Sequence, residues 1–183
     1  MQKFEVEGRR GFTLLELVVV VAIMLAIAAY AIPNVLRAMA DYKLKNTMMQ
    51  VAAICQQQRM QAVRTNSTLQ VNSAALASAL PRGVTAFATG APTLDPSTFS
   101  GSSAYEPEVA TVPVQFNSRG LPCVGTASAC SNWDTSGKGQ QVGFLIYFKM
   151  DKTMGGTGWG AITIMPAGRI NTWFYDGASY EKM

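Results

Sequence analysis

From Phe12 to Ile32 every side chain except Thr13 and Glu16 is apolar, and Pro33 follows directly. The 21 residues of this run, at about 1.5 Å each in a helix, match the roughly 30 Å hydrocarbon core of a bilayer. A membrane-spanning helix is therefore predicted for 12–33. Beyond it the pattern takes a helical period: Leu44, Met48, Val51, Cys55 and Ala62 recur at three, four or seven residues, with Ile54 beside them. Arg37, Asp41, Lys43, Lys45, Gln50, Gln56, Gln57 and Arg59 fall off that stripe. The spacing predicts an amphipathic helix over 34–65 whose apolar stripe needs a partner. No Gly and no second Pro interrupts Asn34 to Val63, so this helix is expected to continue the first one. A helix-interior proline deletes one backbone hydrogen bond, and Pro33 is expected to loosen the helix where it leaves the membrane.

After Thr65 the chain turns to Ser, Thr, Gly and short β-branched runs. Strands are expected near Leu69 to Val71, Val84 to Phe87, Ala110 to Phe116, Val142 to Lys149, Ala161 to Met165 and Ile170 to Tyr175. A short helix over Ala74 to Leu80 follows an Asn72-Ser73 cap. Turns are expected at Pro81-Arg82-Gly83, Asn117-Ser118-Arg119-Gly120 and Pro166-Ala167-Gly168, the last closing a hairpin, and Ala88 to Ala104 reads as a loop. A long helix laid on an antiparallel sheet is an α+β arrangement. Four stretches result: a polar leader at 1–11, the span at 12–33, the amphipathic half-helix at 34–65 and a β-rich domain at 66–183.

Charge refines this picture. The net +4 resides in the first 65 residues, since 66–183 carries seven basic and seven acidic groups. A neutral domain is poor material for non-specific phosphate binding. Arg9-Arg10 abuts the apolar run, so the positive-inside tendency keeps 1–11 cytoplasmic and exports the remainder. The absence of His removes His-based triads and the commonest zinc ligand, and three Cys cannot build a four-thiolate site. No Gly-X-Ser-X-Gly nucleophile pattern occurs. No catalytic residue, metal or cofactor is expected. Glu16 stands out, because a carboxylate inside an apolar span costs about 2.5–3.5 kcal/mol on insertion scales and marks a functional position by default.

The stretch Arg9-Arg10-Gly11-Phe12-Thr13-Leu14-Leu15-Glu16, with the apolar run and Pro33 behind it, resembles the class III signal of type IV pilins and type II secretion pseudopilins. The resemblance implies that a prepilin peptidase cuts between Gly11 and Phe12 and methylates the new Phe12 amine. Glu16 then becomes the fifth residue of the mature chain and pairs with the N-terminal ammonium of a neighbouring subunit. Physics favours such a pair, since opposite charges attract strongly at low dielectric while each alone is penalised there. The partners so implied are the peptidase, other pilin or pseudopilin subunits and the inner membrane, with the C-terminal domain in the periplasm. Val114-Gln115-Phe116-Asn117-Ser118-Arg119-Gly120-Leu121-Pro122 and Ile162-Thr163-Ile164-Met165-Pro166-Ala167-Gly168-Arg169-Ile170 look like two recurring patterns of the minor-pilin and pseudopilin-H group. That likeness implies a subunit of low abundance at or near a filament tip, and 88–104 and 126–140 have no counterpart in it.

In an oxidising periplasm Cys123 and Cys130, with six residues between them, are expected to form a disulfide, and Cys55 to be a buried apolar residue. Met39, Met48, Met49 and Met60 are read as core and filament packing. The expected function is a structural subunit that primes or caps a type IV pilus or a type II secretion pseudopilus. DNA capture is the alternative. Pilins of this group that take up DNA carry Gly-Arg-X-Arg, whereas Gly168-Arg169-Ile170-Asn171 lacks the second arginine and so one phosphate-pairing fork. Arg169, Lys149 and Lys152 are the few contacts available for it. Trp173, Phe174 and Tyr175, as consecutive strand residues, are expected to alternate between faces.

Overall fold

The computed structural model describes residues 12–101, 107–111, 113–126, 129–133, 139–150 and 158–183. The chain divides into two compact units, Met1–Leu36 and Arg37–Met183. Helix α1, Leu14–Thr65, is continuous through Pro33. It contributes the apolar segment of the first unit and the longest element of the second.

In the second unit α1 is followed by β1 (Leu69–Gln70), α2 (Ser73–Ala79), β2 (Val84–Ala86), α3 (Pro96–Ser100), β3 (Glu108–Val109), β4 (Gln115–Phe116), β5 (Pro122–Thr126), β6 (Ala129–Ser131), β7 (Phe144–Met150), β8 (Trp159–Ile164), β9 (Ile170–Tyr175) and β10 (Tyr180–Lys182). The larger sheet runs β10-β9-β8-β7-β2, all antiparallel, and the smaller runs β1-β4-β5-β6. The architecture is the expected α+β one, a long helix packed on antiparallel sheets.

The stripe read from the sequence is the buried face of the helix. Leu44, Met48, Val51, Cys55 and Ala62 join Phe116, Ile146, Phe148, Met150, Ile162 and Ile164 in one core spanning both sheets. Burying each large member contributes roughly 1.5–3 kcal/mol. Met48 fills the space that a side chain at Gly160 would need, so a bare backbone on β8 lets the helix sit close. Asn72 caps α2 as expected, its carboxamide oxygen accepting from the Ala74 and Ala75 amides.

Two local expectations are corrected. The strand expected over Ala110 to Phe116 shrinks to β4, which belongs to the smaller sheet, whereas β3 lies just before that range and pairs parallel with β7 through Glu108↔Phe144. Proline at 113 cannot donate to a ladder and sits between them. The β5–β6 hairpin and β10 carry little β-branched pattern and went unread. Within the loop from Ala88 to Ala104, Asp95 caps the short helix α3, its carboxylate accepting from the Ser97 amide at 2.8 Å. This segment covers part of the second face of the larger sheet. Leu94 packs with Leu145, Tyr147, Ala161 and Trp173, and Phe99 lies 6.3 Å from the Trp173 ring. Trp173 and Phe174 do face opposite ways, Trp173 into this second cluster and Phe174 against the helix-side core.

Candidate processing and assembly site

Glu16 lies in the first turn of α1, and the turn is built by Thr13. The Thr13 hydroxyl accepts from the Glu16 amide at 3.3 Å and its carbonyl from the Leu17 amide at 3.2 Å. Thr13-Leu14-Leu15-Glu16 therefore starts the helix as one half of a capping box. This leaves Glu16 exposed, like Phe12 at 76%. Carboxylates in a first turn are favoured by the helix dipole. Gly11 and the basic pair before it lie outside the described residues. At Pro33 the ladder loses the amide that would reach Ala29, and the neighbouring Asn34 side chain donates to the Tyr30 carbonyl at 3.5 Å.

Residues 8–32 match the family model described as the prokaryotic N-terminal methylation motif. The chain opens with a type IV pilin signal. Among curated proteins and solved structures, none matches it. The matched segment contains Gly11, Phe12 and Glu16, and such a signal implies processing by a prepilin peptidase and assembly with other pilins. The apolar part of α1 is the one helix among the described residues long and apolar enough to cross a membrane.

In the second unit, the side of α1 opposite the core presents a second stripe. Met39, Tyr42, Asn46, Met49, Ala53, Gln56, Met60 and Val63 follow one another at alternating spacings of three and four. That is the seam geometry of helices that pack together. All but half-buried Gln56 are exposed, Tyr42 at 79% and Met39 at 64%. Of the four methionines only Met48 is in the core. The charged residues expected to form the outer face flank this stripe instead.

The two turns expected at 117–120 and 166–168 meet on one helix residue. Arg59 Nε donates to the Gly120 carbonyl at 2.9 Å and its Nη2 to the Ala167 carbonyl at 3.4 Å. Gly120 and Gly168 both take left-handed backbone, φ 74° and 78°. The sequence reading placed Arg59 among solvated polar positions; its two partners, 61 and 108 residues away, left no local signal. Arg64, Arg119 and Arg169 are exposed at the same end, and their guanidiniums have no protein partner among the described residues. Lys149 does not join them. It pairs with Trp159 at the opposite end of β8 from Arg169, about 17 Å of strand away, and Lys152 lies outside the described residues.

Cys123 and Cys130 form the expected disulfide across the β5–β6 hairpin, with Cα atoms 5.4 Å apart. Cys55 is the buried thiol expected, and desolvation pushes its pKa up to about 12. Among the described residues no three His, Cys, Asp or Glu side chains are grouped to hold a metal.

Proposed function

We propose that this chain is a minor pilin or pseudopilin, a non-enzymatic subunit that primes or caps a type IV pilus or type II secretion pseudopilus from the inner membrane, its β-rich domain in the periplasm. The methylation signal at 8–32 carries this reading. Two observations support it. Glu16 sits at the head of the span, where pairing with the amine of another subunit's Phe12 relieves two unpaired charges in lipid. The outward stripe from Met39 to Val63 is apolar surface that a solitary domain leaves in water and that a neighbouring helix covers. A tagged chain tests the reading: it should co-purify with sheared filaments, or with the inner-membrane assembly of the other subunits, at far below the abundance of the major subunit. Equal abundance overturns the minor role, and absence from both overturns the assembly role.

DNA capture is the second reading, favoured by the cluster of Arg64, Arg119 and Arg169 and weakened by the separation of Lys149 from Arg169. With two or three phosphates neutralised, affinity for duplex DNA should be slight and fall with salt at a logarithmic slope of about two to three. Tight binding at physiological salt would promote this reading above the first.

A further inference from the structure

The face of the larger sheet turned away from α1 carries a row of side chains set directly opposite one another across four strands. Lys149 on β7 pairs with Trp159 on β8, Trp159 with Tyr175 on β9, and Tyr175 with Tyr180 on β10. Neighbouring strands lie about 4.8 Å apart, so these side chains share one row on that face. The Tyr175 and Tyr180 rings are 5.1 Å apart and tilted by 51°, and the Lys149 ammonium lies 5.4 Å from the Trp159 ring. Trp159, Tyr175 and Tyr180 are half-buried and Lys149 is exposed. The adjacent row, Tyr147, Ala161 and Trp173, packs under Leu94 and Phe99; Tyr180 borders that cluster, and among the described residues Trp159 and Tyr175 are not part of it.

Tyr175 and Tyr180 form the floor of a cleft of about 430 Å³, a volume within the range of small-ligand sites. Its walls come from the segment around α3 and from the turn before β10, with Thr93, Asp95, Thr98 and Ser179 among the lining residues. The hydroxyls of Thr93, Thr98, Ser179 and Tyr175 have no protein partner among the described residues. The Ser97 amide donates to Asp95 Oδ1 and, with the Ser97 hydroxyl, holds this carboxyl below the usual range, an acceptor at neutral pH. Tyr180 is fixed by donation to the Pro92 carbonyl at 3.1 Å.

Aromatic faces, several free hydroxyls and one acceptor carboxylate, with no cation lining the cleft, define the ligand chemistry. Ring faces pack the C–H faces of pyranoses, while hydroxyls and a carboxylate exchange hydrogen bonds with sugar hydroxyls. Within the cleft an anionic polymer meets the Asp95 charge, the nearest cation of the row, Lys149, lying beyond Trp159, and an apolar ligand leaves the hydroxyls unpaired. We propose that the Tyr175–Tyr180 cleft, continued along the row by Trp159, binds a neutral oligosaccharide chain. This adds a ligand to the exported domain and does not depend on the filament reading.

The test is a titration of the full chain in lipid nanodiscs, free of glycoside detergents, followed by tryptophan fluorescence and saturation-transfer NMR. The probes are cellohexaose, chitohexaose and maltohexaose, with a heparin-derived hexasaccharide and single-stranded DNA as charged counterparts. At least one neutral hexasaccharide should bind at submillimolar concentration. Tyr175→Ala and Trp159→Ala should each weaken it by about tenfold, and Tyr175→Phe, which keeps the ring, should retain most of the affinity. No neutral binding at millimolar concentration, binding confined to the charged probes, or affinity unchanged in Tyr175→Ala overturns the proposal.

Discussion

The guanidinium carbon of Arg59 lies 2.7 Å from the point where a Cβ on Gly168 would sit. The same side chain grips the Gly120 carbonyl in the other sheet, so one helix residue ties the β4–β5 turn to the β8–β9 turn. The two glycines permit this twice over, through positive φ and through the space they leave.

Gly168→Ala should therefore destabilise the second unit by about 2 kcal/mol or more, from the left-handed backbone and from displacement of a charged donor. Arg59→Ala should cost roughly 1.5–3 kcal/mol. In the double variant the two losses should fall short of their sum by about 1 kcal/mol, because removing Arg59 makes room for the new methyl. Denaturant unfolding of the full chain, followed by its three tryptophans, measures this cycle. Strict additivity contradicts the clasp.

Met49→Asp and Met60→Asp place charges on the outward stripe, where the side chains are 52% and 56% exposed. Folding stability should change by no more than about 0.5 kcal/mol, as for surface substitutions generally. Incorporation into filaments should drop severalfold, measured by the amount of chain in sheared material. Wild-type incorporation would remove the stripe from the assembly account.

For Glu16→Ala, membrane insertion and processing should be intact, because the span becomes more apolar. Assembly should fail, because the amine of a neighbouring Phe12 loses its counter-charge. Fractionation of membranes and recovery of filaments separate the two effects. Full incorporation of the alanine variant would falsify the pairing role.

The Cys55 thiol gives a pH signature. Its folded pKa, raised to about 12 by burial against an ordinary value of 9.0, means that above about pH 9 the unfolded chain sheds a proton that the folded chain keeps. Stability from this group is thus fully present below pH 9 and is lost as pH rises toward 12. The stability of the wild type relative to Cys55→Ala should decline across that window. Parallel profiles for the two proteins would contradict a thiol held neutral by the core.

What the sequence disclosed followed the range of each signal. The buried stripe from Leu44 to Ala62 was legible because a helix repeats its face every few residues, and so was the α2 cap at Asn72, made within three residues. The processing signal was legible because its chemistry is contiguous. The role of Arg59 was not, since its two acceptors are distant carbonyls with no side-chain identity to read. Nor was the row from Lys149 to Tyr180, assembled by the register of four strands, one of which, β10, has three residues and little β-branched pattern. Tyr42, Met49 and Met60 were visible as apolar residues, but only the packed helix separates an outward seam from the core.

The central claim is that this chain is a pilin-type precursor, and mass analysis of its N-terminus after purification from the native membrane tests it most directly. The account predicts a chain that begins at Phe12 with a methylated amine, the leader through Gly11 removed. A chain that keeps Met1, or one cut near Ala31 as by an ordinary signal peptidase, contradicts it.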